Sequence, residues 1–411
     1  MQEVKLKANI IYLIIMQLGN YIAPLLVLPY LSRVLGLDGF GVVAIAISLC
    51  AIALIITDYG FGISAPYWLA RNKTDKSAVA SYVGAIFFIK MLLFLLSASV
   101  VLIYFNFASQ IPREPLLYLA ILVCVFLQTF QINWFFLGIE KMKNITIFMV
   151  IAKVSYLILV FLLVKHSSDI ALVLVCYAIS NFLATSLGIF FLYKEKYWIS
   201  RPTKMQTWYV FKDSGLFFVS RLSVGVYTSA STFLVGNFAG AGAAAIYNVA
   251  EKLYMAGQSA TSPVSQALYP YLARTGDKQA LYKFVAILLI PLSVVVSSCI
   301  YFSEPIIILI FGEDFIAATE LLRIFLLTLL VNFVGINFGY PAFATIGKVN
   351  IANKTVIFAS VLQVMSIVTL YSMSAITAKN ICLSVFAIET VVMLIRMVLY
   401  WLLKNRYGRN D

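Results

Sequence analysis

The sequence predicts an all-α polytopic membrane protein with twelve transmembrane helices in two parallel six-helix lobes. Three observations carry that expectation. Apolar runs of roughly 20 residues, the length needed to cross a bilayer as a helix, recur from end to end. The basic residues gather in alternate turns between those runs. A turn motif of the first half returns in the second, with Gly36 and Gly240 separated by 204 residues.

Composition sets the solvent. The chain has 411 residues, 62% of them hydrophobic and 11% charged, far too little charge to cover a water-soluble surface. In hydrocarbon every backbone polar group must be satisfied internally, so long apolar runs read as helices. A β-barrel would show strict alternation, and none is present. Spans are expected at 8–31, 41–65, 79–104, 115–137, 146–164 and 170–193. A second set is expected at 213–236, 244–268, 282–302, 319–343, 351–373 and 381–403. The first run ends in Pro29-Tyr30-Leu31-Ser32-Arg33 without a small-x-small cleavage site, so it reads as a helix and not as a leader. The expected domains are a lobe at 1–193, a basic linker at 194–212 and a lobe at 213–411.

The net charge of +13 does not point to nucleic acid, because of where the charge lies. With the N-terminus inside, the inner segments hold Lys5, Lys7, Arg71, Lys73, Lys76, Lys141, Lys143, Lys194, Lys196, Arg201, Lys204 and Lys212. They also hold Arg274, Lys278, Lys283, Lys348, Lys354, Lys404, Arg406 and Arg409. The outer side has Arg33, Arg113, Lys165 and Lys379. Twenty against four sets both termini in the cytoplasm. Trp68, Trp134, Trp198, Trp208 and Trp401 are expected at the same inner headgroup zone. The 194–212 linker, with five basic residues and two Trp, is expected along the membrane surface.

The repeat relates the halves. Pro66-Tyr67-Trp68-Leu69-Ala70-Arg71 followed by Asp75-Lys76 answers Pro270-Tyr271-Leu272-Ala273-Arg274 followed by Asp277-Lys278. Six helices per half is an even number, so both halves point the same way. The site is then expected between them near the midplane.

Ionisable residues inside apolar runs need a partner, a wet cavity or a task. The candidates are Asp58, Lys90, Lys153, Arg221, Glu251, Lys252, Glu320, Arg323, Glu389 and Arg396. Lys90, Lys153 and Arg221 would suit an anionic headgroup such as a pyrophosphate, through charge-assisted hydrogen bonds. The alternative for them is internal pairing with Asp58 or Glu389. Lys153, Glu320, Arg323 and Arg396 are expected to reach toward an interface. Asp58, in Thr57-Asp58-Tyr59-Gly60-Phe61-Gly62, could couple proton movement to transport or could cap a helix end. Gln17, Asn20, Gln128, Gln131, Asn133, Asn332 and Asn337 could bind sugars or hold helices together, the commoner use. The single histidine, His166, and the five cysteines show no metal-ligand spacing, and no cofactor is expected. There is no Gly-x-x-x-x-Gly-Lys-Ser/Thr run and no outer loop large enough for a catalytic site. Transport without built-in ATP hydrolysis, and not enzymic catalysis, is therefore expected.

Several stretches carry a family likeness. They are Asn20-Tyr21 with Pro29 to Gly36, Asp58-Tyr59-Gly60-Phe61, and Asn133-Trp134-Phe135-Phe136-Leu137-Gly138-Ile139-Glu140-Lys141-Met142. Tyr247-Asn248-Val249-Ala250-Glu251-Lys252-Leu253 and Phe311-Gly312-Glu313-Asp314-Phe315 extend it over essentially the whole chain. On these the sequence resembles Wzx-type polysaccharide-repeat flippases of the multidrug/oligosaccharidyl-lipid/polysaccharide exporter superfamily. The resemblance implies a MATE-like fold in the bacterial inner membrane. It also implies carriage of an undecaprenyl-pyrophosphate-linked oligosaccharide, such as an O-antigen unit, from the inner to the outer leaflet. A polysaccharide polymerase and a chain-length regulator are the implied partners, besides membrane lipid. The general idea of a cationic cavity falls on Lys90, Lys153 and Arg221, and that of ion coupling on Asp58. The competing reading is an ion-coupled exporter of small drugs, which an anionic or aromatic cavity would favour.

Overall fold

The computed structural model describes the backbone of residues 2–404. Side-chain environments are described from Leu26 onward, apart from several positions within 216–229 and 263–270. All regular structure among these residues is helical. The order is α1 Gln2–Asp58, α2 Phe61–Asn72, α3 Lys76–Phe107, α4 Pro115–Thr129, α5 Asn133–Gly138, α6 Met142–Leu163 and α7 Ile170–Lys194. There follow α8 Lys204–Ala239, α9 Ala241–Thr275, α10 Lys278–Tyr301, α11 Ser303–Phe311 and a 3-10 turn at Glu313–Phe315. The chain closes with α12 Ala318–Asn337, α13 Tyr340–Thr345, α14 Asn350–Ser372 and α15 Ala378–Leu403. Among the described residues nine helices are long and apolar enough to cross a membrane. The other expected spans, 8–31, 213–236 and 244–268, lie within α1, α8 and α9.

The chain divides into two compact units, Met1–Gly225 and Val226–Asp411. The first has a core of aromatic and aliphatic side chains that includes Phe61, Leu69, Tyr82, Phe135, Phe136 and Phe148. The second gathers Leu272, Leu281, Phe343, Ala352 and Tyr400 in the same way.

Three expected spans are interrupted. The second expected span ends at Asp58, where Tyr59 and Gly60 both take positive φ, and restarts as α2. Breaks at 130–132 and at 338–339 cut off the short helices α5 and α13. A further break, at Gly36 inside α1 (φ 68°, ψ −175°, a conformation open to glycine alone), falls between the first two expected spans.

The internal repeat extends to backbone detail. Gly240, opposite number of Gly36, stands at φ 100° and ψ 165°. Asp75 accepts the N–H groups of Ser77 and Ala78 at the start of α3, and Asp277 accepts that of Ala280 at the start of α10. The next residue repeats as well. The Lys76 ammonium reaches the Glu195 carbonyl just beyond α7 at 3.5 Å, and Lys278 reaches the Lys404 carbonyl just beyond α15 at 2.8 Å. Each cation meets the negative end of a helix, where carbonyls lack an intrahelical partner. After α5 the Lys141 N–H bonds the Phe136 carbonyl, and after α13 the Lys348 N–H bonds the Phe343 carbonyl, both at 2.9 Å.

Tight turns close the ends. At the start of α7, Asp169 accepts the Lys165 and His166 N–H groups at 2.8 Å each. Those two bonds, with His166 beside it, hold its carboxyl below the usual range. The 194–212 segment is laid across the Lys76 end of α3. The Ser200 N–H bonds the Ala80 carbonyl at 3.2 Å, and the Tyr197 hydroxyl bonds the Lys73 carbonyl at 2.9 Å. Any Cβ at Gly84 would collide with the Ser200 carbonyl oxygen, so glycine is what allows this close approach.

Candidate functional site

A helix that breaks inside a membrane leaves carbonyls without donors, and the protein must supply them. In the first unit the last carbonyls of α4 meet two side chains. Thr185 of α7 donates to Leu127 O at 2.8 Å, and Lys90 of α3 donates to Thr129 O at 2.8 Å. The Lys90 side chain is buried, with the residue 4% exposed, and its ammonium lies 5.9 Å from the Trp134 ring centre. Thr129 also donates to the Thr57 hydroxyl at 3.1 Å, which ties α4 to the last turn of α1. Asp58 follows at once in the chain. Its Oδ2 lies 3.4 Å from the Gly62 N–H in the first turn of α2.

The second unit solves the same problem with a different helix. Arg396 of α15 is buried, 8% exposed, and donates to Gly335 O in the last turn of α12 and to the Thr355 hydroxyl of α14, both at 2.8 Å. Its guanidinium packs beside Gly339 in the break itself. Arg396 was expected to extend to an interface. The free carbonyls of the broken helix hold it inside instead. Trp134 also departs from expectation, through apolar packing: it is 4% exposed and packs in the core at the α4–α5 break. Trp68 stacks on Tyr82 at 3.9 Å. Trp198, Trp208 and Trp401 are exposed.

Of the four proposed site residues, Lys90 and Asp58 are linked through neighbours: Lys90 bonds Thr129 O, and the Thr129 hydroxyl bonds that of Thr57, the residue before Asp58. Lys153 is half-buried on α6, and its side chain is engaged. Arg221 lies on α8, with its side chain outside the described residues. Three of the candidate amides, Gln131, Asn332 and Asn337, tie helices together. Gln131 bonds Asn181 at 2.8 Å, Gln258 bonds Asn332 at 2.9 Å, and Ser265 bonds Asn337 at 3.1 Å. Glu320 forms an exposed pair with Lys379 at 2.6 Å.

Glu251, named in the sequence without a role, and Glu389, named there only as a pairing partner for buried cations, line one small cavity of the second unit. Ser231, Tyr247, Tyr254, Gln258 and Phe325 share its wall, and Thr232 donates to Glu251 at 2.9 Å. Its volume of about 60 Å³ holds an ion or a pair of waters, and not a drug-sized molecule. Nothing in one-dimensional spacing signalled this meeting, since α9 and α15 are far apart in the chain.

A multi-span helical protein whose broken helices are capped by buried cations is the frame that comparison with solved structures can match. The fold matches an inward-facing multidrug-resistance MATE transporter of the MOP superfamily with a TM-score of 0.71, at 15% identity over 97% of this chain and 98% of that one. A MOP superfamily transporter from Pyrococcus furiosus matches at 0.61, with 14% identity over 98% and 96%. The sequence narrows the class: residues 6–276 match the polysaccharide biosynthesis protein family, and the chain belongs to it. A Shigella dysenteriae protein assigned as a candidate O-antigen transporter is 28% identical over 324 residues, 77% of this chain and 81% of that protein. A counterpart so assigned in Escherichia coli strain K12 is 26% identical over 280 residues, 66% of each.

Proposed function

We propose that this membrane transporter carries an undecaprenyl-pyrophosphate-linked oligosaccharide, such as an O-antigen repeat unit, from the cytoplasmic to the periplasmic leaflet of the inner membrane. The observation that carries the reading is membership of the polysaccharide biosynthesis family, together with two relatives assigned to O-antigen transport over two thirds or more of this chain. Movement follows alternating access with ion coupling. Lys90, Lys153 and Arg221 serve the anionic headgroup. Buried and bonded to Thr129, Lys90 contributes charge and not contact. Asp58 is the coupling carboxylate: protonating it would withdraw its negative charge. The Glu251–Glu389 cavity offers a second place of ionic size. A polysaccharide polymerase and a chain-length regulator are the partners such cargo calls for.

A drug exporter is the rival reading, and the anionic, aromatic walls of that cavity favour it, but its size does not. Complementation decides. In a strain lacking its own flippase, the chain restores surface polysaccharide, and drug resistance without polysaccharide overturns the proposal. Arg221→Ala and Lys153→Ala lower display roughly tenfold or more, the loss of a charged hydrogen bond, and Arg221→Lys and Lys153→Arg lower it less. Equal display in all four variants removes the headgroup role. Asp58→Asn abolishes dependence on the ion gradient if Asp58 couples.

A further inference from the structure

The segment clamped to α3 creates a groove that the transport reading does not use. Phe88, Ile89, Leu92 and Leu93 of α3 form one wall, and Trp208 and Phe211 of α8 form the other. Arg201 and Lys204 stand among its lining residues. Its volume of about 670 Å³ falls in the range of small-molecule sites, roughly 300–1,000 Å³. The floor is sealed: Ile89 is 3% exposed, whereas Phe88, Leu92 and Trp208 stand open on the rim.

The layout is ordered along α3. Ser200, next to Arg201, lies against Gly84, eight residues and so about 12 Å along α3 from Lys76. The apolar wall continues from there to Leu93, about 13 Å further into the apolar run. Charge is thus at the end near the basic turns, and hydrocarbon lies beyond it. Among the described residues neither Arg201 nor Lys204 joins an ion pair, although Lys73 and Lys141 nearby do so with Glu140 and Glu195. Two exposed cations above an apolar trough complement one class of molecule, an anionic amphiphile with a phosphate at one end and a chain at the other.

We propose that this groove holds a resident anionic phospholipid, with its phosphate between Arg201 and Lys204 and one acyl chain along Phe88, Leu92 and Trp208. The site is separate from any cargo. The lipid would hold the 194–212 segment on α3, as its chain touches both.

The test is native mass spectrometry of the full-length protein in detergent, with phosphatidylglycerol and phosphatidylcholine at equal mole fraction. The wild type retains one phosphatidylglycerol with a preference of about tenfold or more, from two cations near an anionic surface. Arg201→Gln with Lys204→Gln removes the preference. Gly84→Val keeps both cations but displaces the segment, and it also loses the lipid. Lys194→Gln with Lys196→Gln removes as much charge from exposed positions outside the groove and leaves the preference intact. Four results overturn the proposal: retention by the Arg201/Lys204 variant, retention by Gly84→Val, an equal loss in the Lys194/Lys196 variant, or displacement of the lipid by millimolar inorganic phosphate. Stronger retention of a polyprenyl phosphate than of phosphatidylglycerol overturns the commitment to phospholipid.

Discussion

Single residues set the hard limits of this fold. Gly36 has nothing within 4 Å of where a Cβ would stand, so its glycine answers to backbone conformation alone. Gly240 shares that conformation at the matching place. Gly36→Ala and Gly240→Ala should each cost about 1–3 kcal/mol, read as a lowered unfolding midpoint in detergent. Wild-type stability in both would mean that the break can relax. Arg396 allows a cleaner test, since Arg396→Lys keeps the charge but cannot span Thr355 and Gly335 with one planar fork. A loss of about 1–3 kcal/mol follows from the bond left unmade. The sequence marked Arg396 and Lys90 as buried-charge candidates but did not reveal their partners. Those partners include the backbone carbonyls of Thr129 and Gly335, which no side-chain pattern displays.

Elements were legible to different degrees. The long apolar runs predict helices, and every expected span contains one, because hydrocarbon leaves the backbone no other choice. The breaks were hidden. Residues 115–137 read as one run, yet α4 stops at Thr129 because Lys90 and Thr185 satisfy its end from other helices. The turn before α7 was plain in sequence as a polar stretch, but its internal wiring was not. Asp169 has a depressed carboxyl, so its contribution is complete above the ordinary carboxylate range and is lost as pH falls through its lowered value. Acid titration of unfolding should show Asp169→Asn converging on the wild type at low pH and less stable than it at neutral pH. Parallel curves would deny the turn any role. Lys76→Met and Lys278→Met should each speed hydrogen exchange in the last turn of the helix it caps, α7 and α15 respectively, and not in the other.

At the scale of the whole molecule, charge asymmetry yields a topology that can be measured directly. Four of the native cysteines are buried and Cys299 is partly so, which leaves Cys299→Ser as a quiet background for labelling. A cysteine at His166 should react with an impermeant maleimide added to intact cells. One at Lys143 should react only after the membrane is opened. The reverse pattern would invert the orientation, and with it the direction of the proposed transport. Composition and charge gave the multi-span class and an expected sidedness. The cargo was reachable only through family likeness, since among the amides that could bind sugar or hold helices, Gln131 and Asn332 bond Asn181 and Gln258 of other helices.

The two units meet the same demand with unlike side chains, Lys90 from the third helix and Arg396 from the fifteenth. Where Lys90 stands in the first unit, the matching place near residue 292 is leucine. Each break needs only that a cation reach its stranded carbonyls, and a lysine of α3 or an arginine of α15 can meet that need. Residue-by-residue identity therefore understates the likeness of the two units. The likeness lies in the positions of positive-φ glycines and stranded oxygens, and internal repeats in other transporters would be better sought by aligning those.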